Sequence, residues 1–178
     1  MAEPVRDADQ DQLYQEAADA FSAALERLAR AYEADPQKRQ DLLQDMHLGL
    51  WRSFEHFAHR CSLRTWVYRV AHNIATSHVV RQQRIYAGLI SLEEIENLTI
   101  RQEDEFGLDR SIARERLLLL IQRLKPIDRQ VIVSYLEGMD AASIGEITGM
   151  SPANVAMKIH RVKGILTRRL QKGGQHAG

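Results

Sequence analysis

Apolar residues recur at helical spacing along the first third of the chain. Leu13, Ala17, Phe21, Ala24-Leu25, Leu28 and Tyr32 share one face of a helix. Asp35-Pro36 then reads as an N-cap followed by a proline at the first helical position. A second stripe follows in Leu42-Leu43, Met46, Leu50-Trp51, Phe54 and Phe57. Ser62 is placed to cap a third helix whose inner face is Trp66-Val67, Val70-Ala71 and Ile74, and which ends in a basic tract with Arg81 and Arg84. From Ala87 to Asp109 the helical period weakens and acids accumulate, with Gly88 and Gly107 as breakers, so this stretch reads as a linker. Helical spacing resumes near Ser111. Ile112, Arg116 and Leu117 to Ile121 make one helix, ended by Lys125-Pro126, and Ile127 to Leu136 make another, stopped by Gly138.

The sharpest local pattern runs from Met139 to Leu170. Ala141 to Thr148 predicts a short helix with Ile144 and Ile147 inward. Gly149-Met150-Ser151 supplies a turn in which glycine is free to take positive φ. Ser151 then caps, and Pro152 begins, a following helix. Within it Val155, Ile159, Val162 and Leu166 repeat at helical spacing and face a core, which leaves Asn154, Met157, Lys158, Arg161 and Lys163 on or beside the open face. A second helix of this kind presents its early side chains to base edges in the major groove while nearby cations hold phosphates.

The expected fold class is therefore all-α: two small helical domains joined by an acidic linker, the second containing a helix-turn-helix. The boundaries read as an acidic tail over 1–12, a first domain over 13–86, the linker over 87–110, a second domain over 111–170 and a tail over 171–178.

Composition adds three points. Hydrophobic residues make up 44% of the 178 residues, enough for a packed core rather than a disordered chain. The lone Cys61 excludes an internal disulfide and fits a reducing cytosol. Glu3, Asp7 and Asp9 stand where a signal peptide needs a basic start, and no apolar run approaches the roughly 20 residues that span a bilayer, so a cytoplasmic protein is expected.

The net charge of zero conceals segregation. Residues 1–36 hold nine acids against three arginines, and 37–86 hold eight bases against three acids. Residues 87–109 hold seven acids against one arginine, and 110–178 hold twelve bases against five acids. Two basic blocks flanking an acidic one suggest two polyanion-facing modules on a tether.

Three other readings are weighed: a metal enzyme, an autonomous DNA-binding regulator and a sequestering protein. His56, His59 and Cys61 lie close together, but their spacing lacks a second ligand cluster and is not that of a structural zinc site, so no metal and no cofactor is expected. No phosphate-binding glycine loop, nucleophile elbow or paired-carboxylate site is visible, so no enzymatic activity is expected. An autonomous helix-turn-helix regulator explains residues 111–170 but not the first domain, and a protein that only sequesters its partners does not need an intact recognition helix.

The segment EGMDAASIGEITGMSPANVAMKIHRVKGIL (Glu137 to Leu166) resembles the promoter-binding C-terminal helix-turn-helix of bacterial extracytoplasmic-function (ECF) sigma factors, and LKPIDRQVIVSYLEG (Leu124 to Gly138) resembles the helices leading into it. DLLQDMHLGLWRSFEHF (Asp41 to Phe57) is similar to that family's core-polymerase-binding helix. SLRTWVYRVAHNIATSHVVRQQR (Ser62 to Arg84) is similar to its promoter-melting segment, with the R-T-W-x-Y-R-x-A-x-N run.

The resemblance implies a sigma factor that binds core RNA polymerase, directs it to specific promoters and assists melting. Gln44, Asp45, His47, Leu48, Trp51 and Arg52 would dock on the clamp of the polymerase's largest subunit, and the second domain on the flap of the second-largest subunit. Arg60, Ser62, Arg64, Arg69, His72 and Asn73 would bind the minus-ten element. There Asn73 matches the family's asparagine that reads a flipped base, and its amide suits an adenine edge. Trp66 reads as core, and Tyr68 as either core or stacking surface. Ser151, Asn154, Met157, Lys158, Arg161 and Lys163 would bind the minus-thirty-five element. The sequence departs from the family's pattern at Ala156, where many relatives carry a base, and at Met157, where a small polar residue is common, which implies a different element or more reliance on DNA shape. The acidic linker resembles the segment that runs through the polymerase cleft, or is a solvated tether. The family also implies an anti-sigma factor, often clamped between the domains in an inactive form whose DNA-facing surfaces are hidden.

Overall fold

The computed structural model describes residues 7–83 and 110–172, so all of the expected linker but residue 110 lies outside the described residues. Among the described residues every regular element is helical: α1 (Asp7–Tyr32), α2 (Pro36–Ser53), a 3₁₀ turn (Phe54–His56), α3 (Leu63–Gln83), α4 (Arg110–Arg123), α5 (Pro126–Leu136), α6 (Ala141–Thr148) and α7 (Pro152–Lys172).

Local chemistry sets most of these bounds. The Asp35 carboxylate accepts from the Gln37 and Lys38 backbone N–H groups with Pro36 in the first turn, which fixes the start of α2. These N–H groups, that of Lys38 foremost, hold the Asp35 carboxyl below its usual range. Ser62 caps α3 through the Thr65 N–H at 3.1 Å. Asp140 caps α6 through the Ser143 N–H at 2.7 Å. Ser151 caps α7 through the Asn154 N–H at 3.3 Å.

One expectation is corrected at the N-terminus. Residues 7–12 are not a tail but the first turns of α1. The Gln10 amide, buried, donates to the Trp51 carbonyl at 2.7 Å, and the Trp51 indole N–H donates to Asp11 at 2.8 Å. Acids at a helix start also interact favourably with its dipole. The extra turns of α1 thus pack on the far end of α2.

Helices α1 to α3 enclose Leu25, Leu28, Leu42, Met46, Leu50, Phe54, Val67 and Ala71, all buried. Helices α4 to α7 enclose Ile121, Leu124, Ile132, Ile144, Val155 and Val162. The two units share a seam in which α1 packs on α4 and α5, and α3 packs on α5 and α6. Helix α5 lies at the centre of this arrangement, and its residues from Asp128 to Ser134 are all buried. A helix buried on every side is one packed from all directions.

Candidate nucleic-acid interface

The helix-turn-helix is built at two glycines. Gly149 takes φ 75°, closing α6 with its N–H on the Gly145 carbonyl at 2.8 Å. A Cβ on Gly145 would stand 2.6 Å from the Met150 carbonyl oxygen, so the turn folds back on the helix only because no side chain is there.

Helix α7 holds no acid, and Lys158, Arg161, Lys163, Arg168 and Arg169 all lie outside its buried stripe. Asn154 and Arg161 are exposed, and Met157 is 70% exposed. Lys158 is drawn aside, its ammonium 2.5 Å from Asp128 on α5. Lys163 donates to the Tyr135 hydroxyl at 3.0 Å and sits over that ring at 5.0 Å. The exposed Ser151 spends its hydroxyl on the α7 cap.

The residues expected at the minus-ten element are divided between two faces of α3. Asn73 is exposed, in a groove of about 410 Å³ that it shares with Asp45, Leu48 and Arg52 of α2. Of the other docking candidates, Gln44 is exposed, Leu48 is 47% exposed and Trp51 38%, while His47 is half-buried with Nδ1 3.0 Å from the Tyr14 hydroxyl. Arg60 lies exposed on the loop before α3, and Ser62 turns its hydroxyl to Thr65 at 2.9 Å.

Arg64, Arg69 and His72 occupy the seam instead. Arg64 donates to the Glu137 carbonyl, and Arg69 to the Glu146 carbonyl at 3.1 Å. His72 is a correction to the expected DNA contacts: it is fully buried, with Tyr32 Oη 2.9 Å from Nδ1 and Ser134 Oγ 2.9 Å from Nε2. The reason is helical phase. Position 72 lies four residues beyond Tyr68, on the stripe that meets α5, while position 73 turns outward. Burial pushes the His72 pKa down to about 3, so the imidazole is neutral.

Several seam residues carry no signal in the sequence. The Glu137 carboxylate accepts two hydrogen bonds from Arg27, both 2.7 Å, and one from the Tyr68 hydroxyl at 3.1 Å. Tyr68 is thereby buried rather than offered as a stacking surface, and burial followed by the neighbouring Glu137 charge pushes its pKa to about 12. Trp66 is half-buried, its indole N–H donating to Ser53 at 2.9 Å. Arg129, fully buried, donates to the carbonyls of Gln122, Leu124 and Tyr32 and lies over the Tyr32 ring at 5.1 Å. A guanidinium held by helix-end carbonyls and a ring face needs no carboxylate, so no charge pattern could have marked it.

Among the described residues no group of three His, Cys, Asp or Glu side chains is placed to hold a metal ion. His59 lies instead against Phe57, ring centroids 4.4 Å apart. No described helix is long and apolar enough to cross a membrane.

Residues 17–85 match sigma-70 region 2, and residues 114–166 match sigma-70 region 4. The chain is 30% identical over 123 residues to RNA polymerase sigma factor CarQ of Myxococcus xanthus, covering 68% of either chain. The chain belongs to the ECF sigma factors. It is also 26% identical over 134 residues to RNA polymerase sigma factor YlaC of Bacillus subtilis, which spans 75% of this chain and 78% of that protein. To ECF RNA polymerase sigma factor SigX of the same organism it is 21% identical over 141 residues, 77% of this chain and 73% of that one.

Two solved structures share the fold at a TM-score of 0.64 and 18% identity, each over 89% of this chain. One is CnrH in complex with the cytosolic domain of CnrY, covered to 88%; the other is the sigma factor RpoE in complex with the anti-sigma factor NepR from Bartonella quintana, covered to 96%. In this sigma factor, region 2 corresponds to α1–α3 and region 4 to α4–α7. It directs RNA polymerase to promoters, as a transcription initiation factor. The region 2 match leaves an autonomous helix-turn-helix regulator without support.

Proposed function

We propose that this sigma factor rests in a closed form and works in an open one. The carrying observation is the division of α3: Asn73 faces solvent, whereas Arg64 and Arg69 already donate to carbonyl oxygens of region 4. Carbonyl oxygens occupy the donors that phosphate oxygens would take, so minus-ten binding by the whole set requires the units to part.

In this reading the exposed face of α2, with Gln44, Asp45, His47, Leu48, Trp51 and Arg52, docks first on the clamp of the polymerase's largest subunit. Region 4 docks on the flap of the second-largest subunit. The separation then frees Arg64 and Arg69 to join Arg60, Ser62 and Asn73 on melted minus-ten DNA. Ser151, Asn154, Met157, Lys158, Arg161 and Lys163 serve the upstream element. The work is done in the cytoplasm, and an anti-sigma factor holds the closed form; the solved relatives bound to CnrY and NepR support that partner class.

In vitro transcription with core polymerase on a genomic fragment library tests this. New start sites sharing two spaced upstream motifs are expected. Asn73→Ala is expected to abolish strand opening, read by permanganate reactivity of unpaired thymines, while polymerase binding stays at the wild-type level. Lost polymerase binding in that variant would remove Asn73 from the melting site.

A further inference from the structure

Met157 is the most exposed large apolar side chain among the described residues, and it stands in the middle of the reading face of α7. Asn154 precedes it by three residues and Arg161 follows by four, so the three side chains line one stripe in the first half of the helix. Ala153 and Ala156 beside it are small and exposed, and leave the thioether to project alone. Lys158, the adjacent cation, is turned away onto Asp128 at 2.5 Å. The stripe that would enter a major groove is thus amide, thioether and guanidinium in order along the helix.

We propose that Met157 reads a thymine in the upstream promoter element by packing against its C5-methyl group. The inference rests on the sigma-factor reading of α7 and deepens it. A polyanion is the occupant that the surface fits, because α7 carries six bases and no acid. Methionine cannot bind a phosphate: its sulfur is a weak acceptor and it has no donor. On the floor of the major groove the one apolar feature any base pair offers is the thymine methyl. Placing 70% of a methionine in that groove against anything else buries it on polar edges with nothing gained. The methionine therefore adds base discrimination at a point where the neighbouring lysines, Lys158 and Lys163, are held aside by Asp128 and Tyr135.

The test uses holoenzyme reconstituted with the full chain. Selection from a random library first defines the upstream element. Each thymine in it is then replaced singly by deoxyuridine, which removes only the methyl. Wild-type holoenzyme is expected to lose about 4-fold in affinity at one position, the worth of one buried methyl-sized group. Met157→Ala is expected to bind thymine and deoxyuridine equally at that position while its response at every other position is unchanged. Wild-type indifference to deoxyuridine throughout the element overturns the proposal, as does a Met157→Ala holoenzyme that keeps the wild-type discrimination. Loss of core-polymerase affinity in Met157→Ala with thymine discrimination intact also overturns it, and assigns the side chain to a protein surface. If no upstream element is selected at all, the failure belongs to the role of region 4 rather than to Met157.

Discussion

His72 sits between a tyrosine from α1 and a serine from α5, with the Tyr68 ring of its own helix 6.3 Å away, and none of these neighbours is charged near neutral pH. A neutral imidazole satisfies both hydroxyls by donating through one nitrogen and accepting through the other; an imidazolium can only donate, and it sits in a site closed to water. Burial is what holds its pKa near 3, against an ordinary value of 6.5. The sign follows from linkage. The charged form is disfavoured in the closed fold, so the stabilisation is complete above pH 6.5 and falls as the pH drops from there toward 3. The closed form should lose about 1.4 kcal/mol per pH unit in that window. Thermal unfolding followed from pH 7 to pH 5 is expected to show a slope that flattens in His72→Gln, which cannot take up the proton. An equal slope in that variant would assign the acid sensitivity elsewhere, with half-buried His47, whose pKa burial also lowers, as the next candidate.

At the scale of elements, the helix starts were legible because caps are short-range chemistry. Asp35-Pro36, Ser62, Ser151-Pro152 and Gly149 each act on N–H groups or dihedrals within a few residues, and each stands where the pattern put it. The start of α1 was not legible. Its determinants, Gln10 and Asp11, are polar residues whose partner, Trp51, lies 40 or more residues away, and acids before the first apolar stripe read as a tail. The same locality makes the helix-turn-helix testable as an element. Gly145→Ala sets a methyl 2.6 Å from a backbone oxygen that cannot swing aside, so the turn between α6 and α7 must shift. A destabilisation of about 1–3 kcal/mol is expected for such overpacking. Upstream-element binding should fall together with it while Asn73-dependent strand opening on an extended minus-ten template is spared. Asp35→Ala, by contrast, removes only a cap on α2, whose N–H partners Gln37 and Lys38 belong to region 2. Its loss should appear as a lower melting temperature with promoter choice unchanged.

The seam belongs to the whole molecule, and it is the part of the site the sequence conceals. Arg64, Arg69 and His72 are the residue types expected on DNA, and nothing in their spacing separates a nucleic-acid face from one packed on another domain. Two of their partners, the carbonyls of Glu137 and Glu146, are backbone groups that every residue carries. The Glu137 carboxylate, by contrast, is a side-chain acceptor, and it joins both units through Arg27 of α1 and Tyr68 of α3. Its carboxylate is 12% exposed while the Arg27 side chain is 60% exposed, so solvent and salt weaken the ion pair from the Arg27 side. Glu137→Ala leaves the Tyr68 hydroxyl, buried and without its acceptor, as the dominant loss. We expect a shift of about 1–2 kcal/mol toward the open form, a factor of roughly 5–30 in population. Small-angle scattering of the free protein should report a larger radius of gyration, and Tyr68→Phe in the Glu137→Ala background should recover most of the compact form because it removes the stranded hydroxyl. Minus-ten single strands should bind Glu137→Ala more tightly than wild-type protein in the absence of polymerase, because Arg64 and Arg69 are released from their carbonyl partners. If scattering shows opening and strand affinity does not rise, the seam holds the units together but does not mask the melting face, and the arginines then owe their DNA role to polymerase rather than to release from region 4.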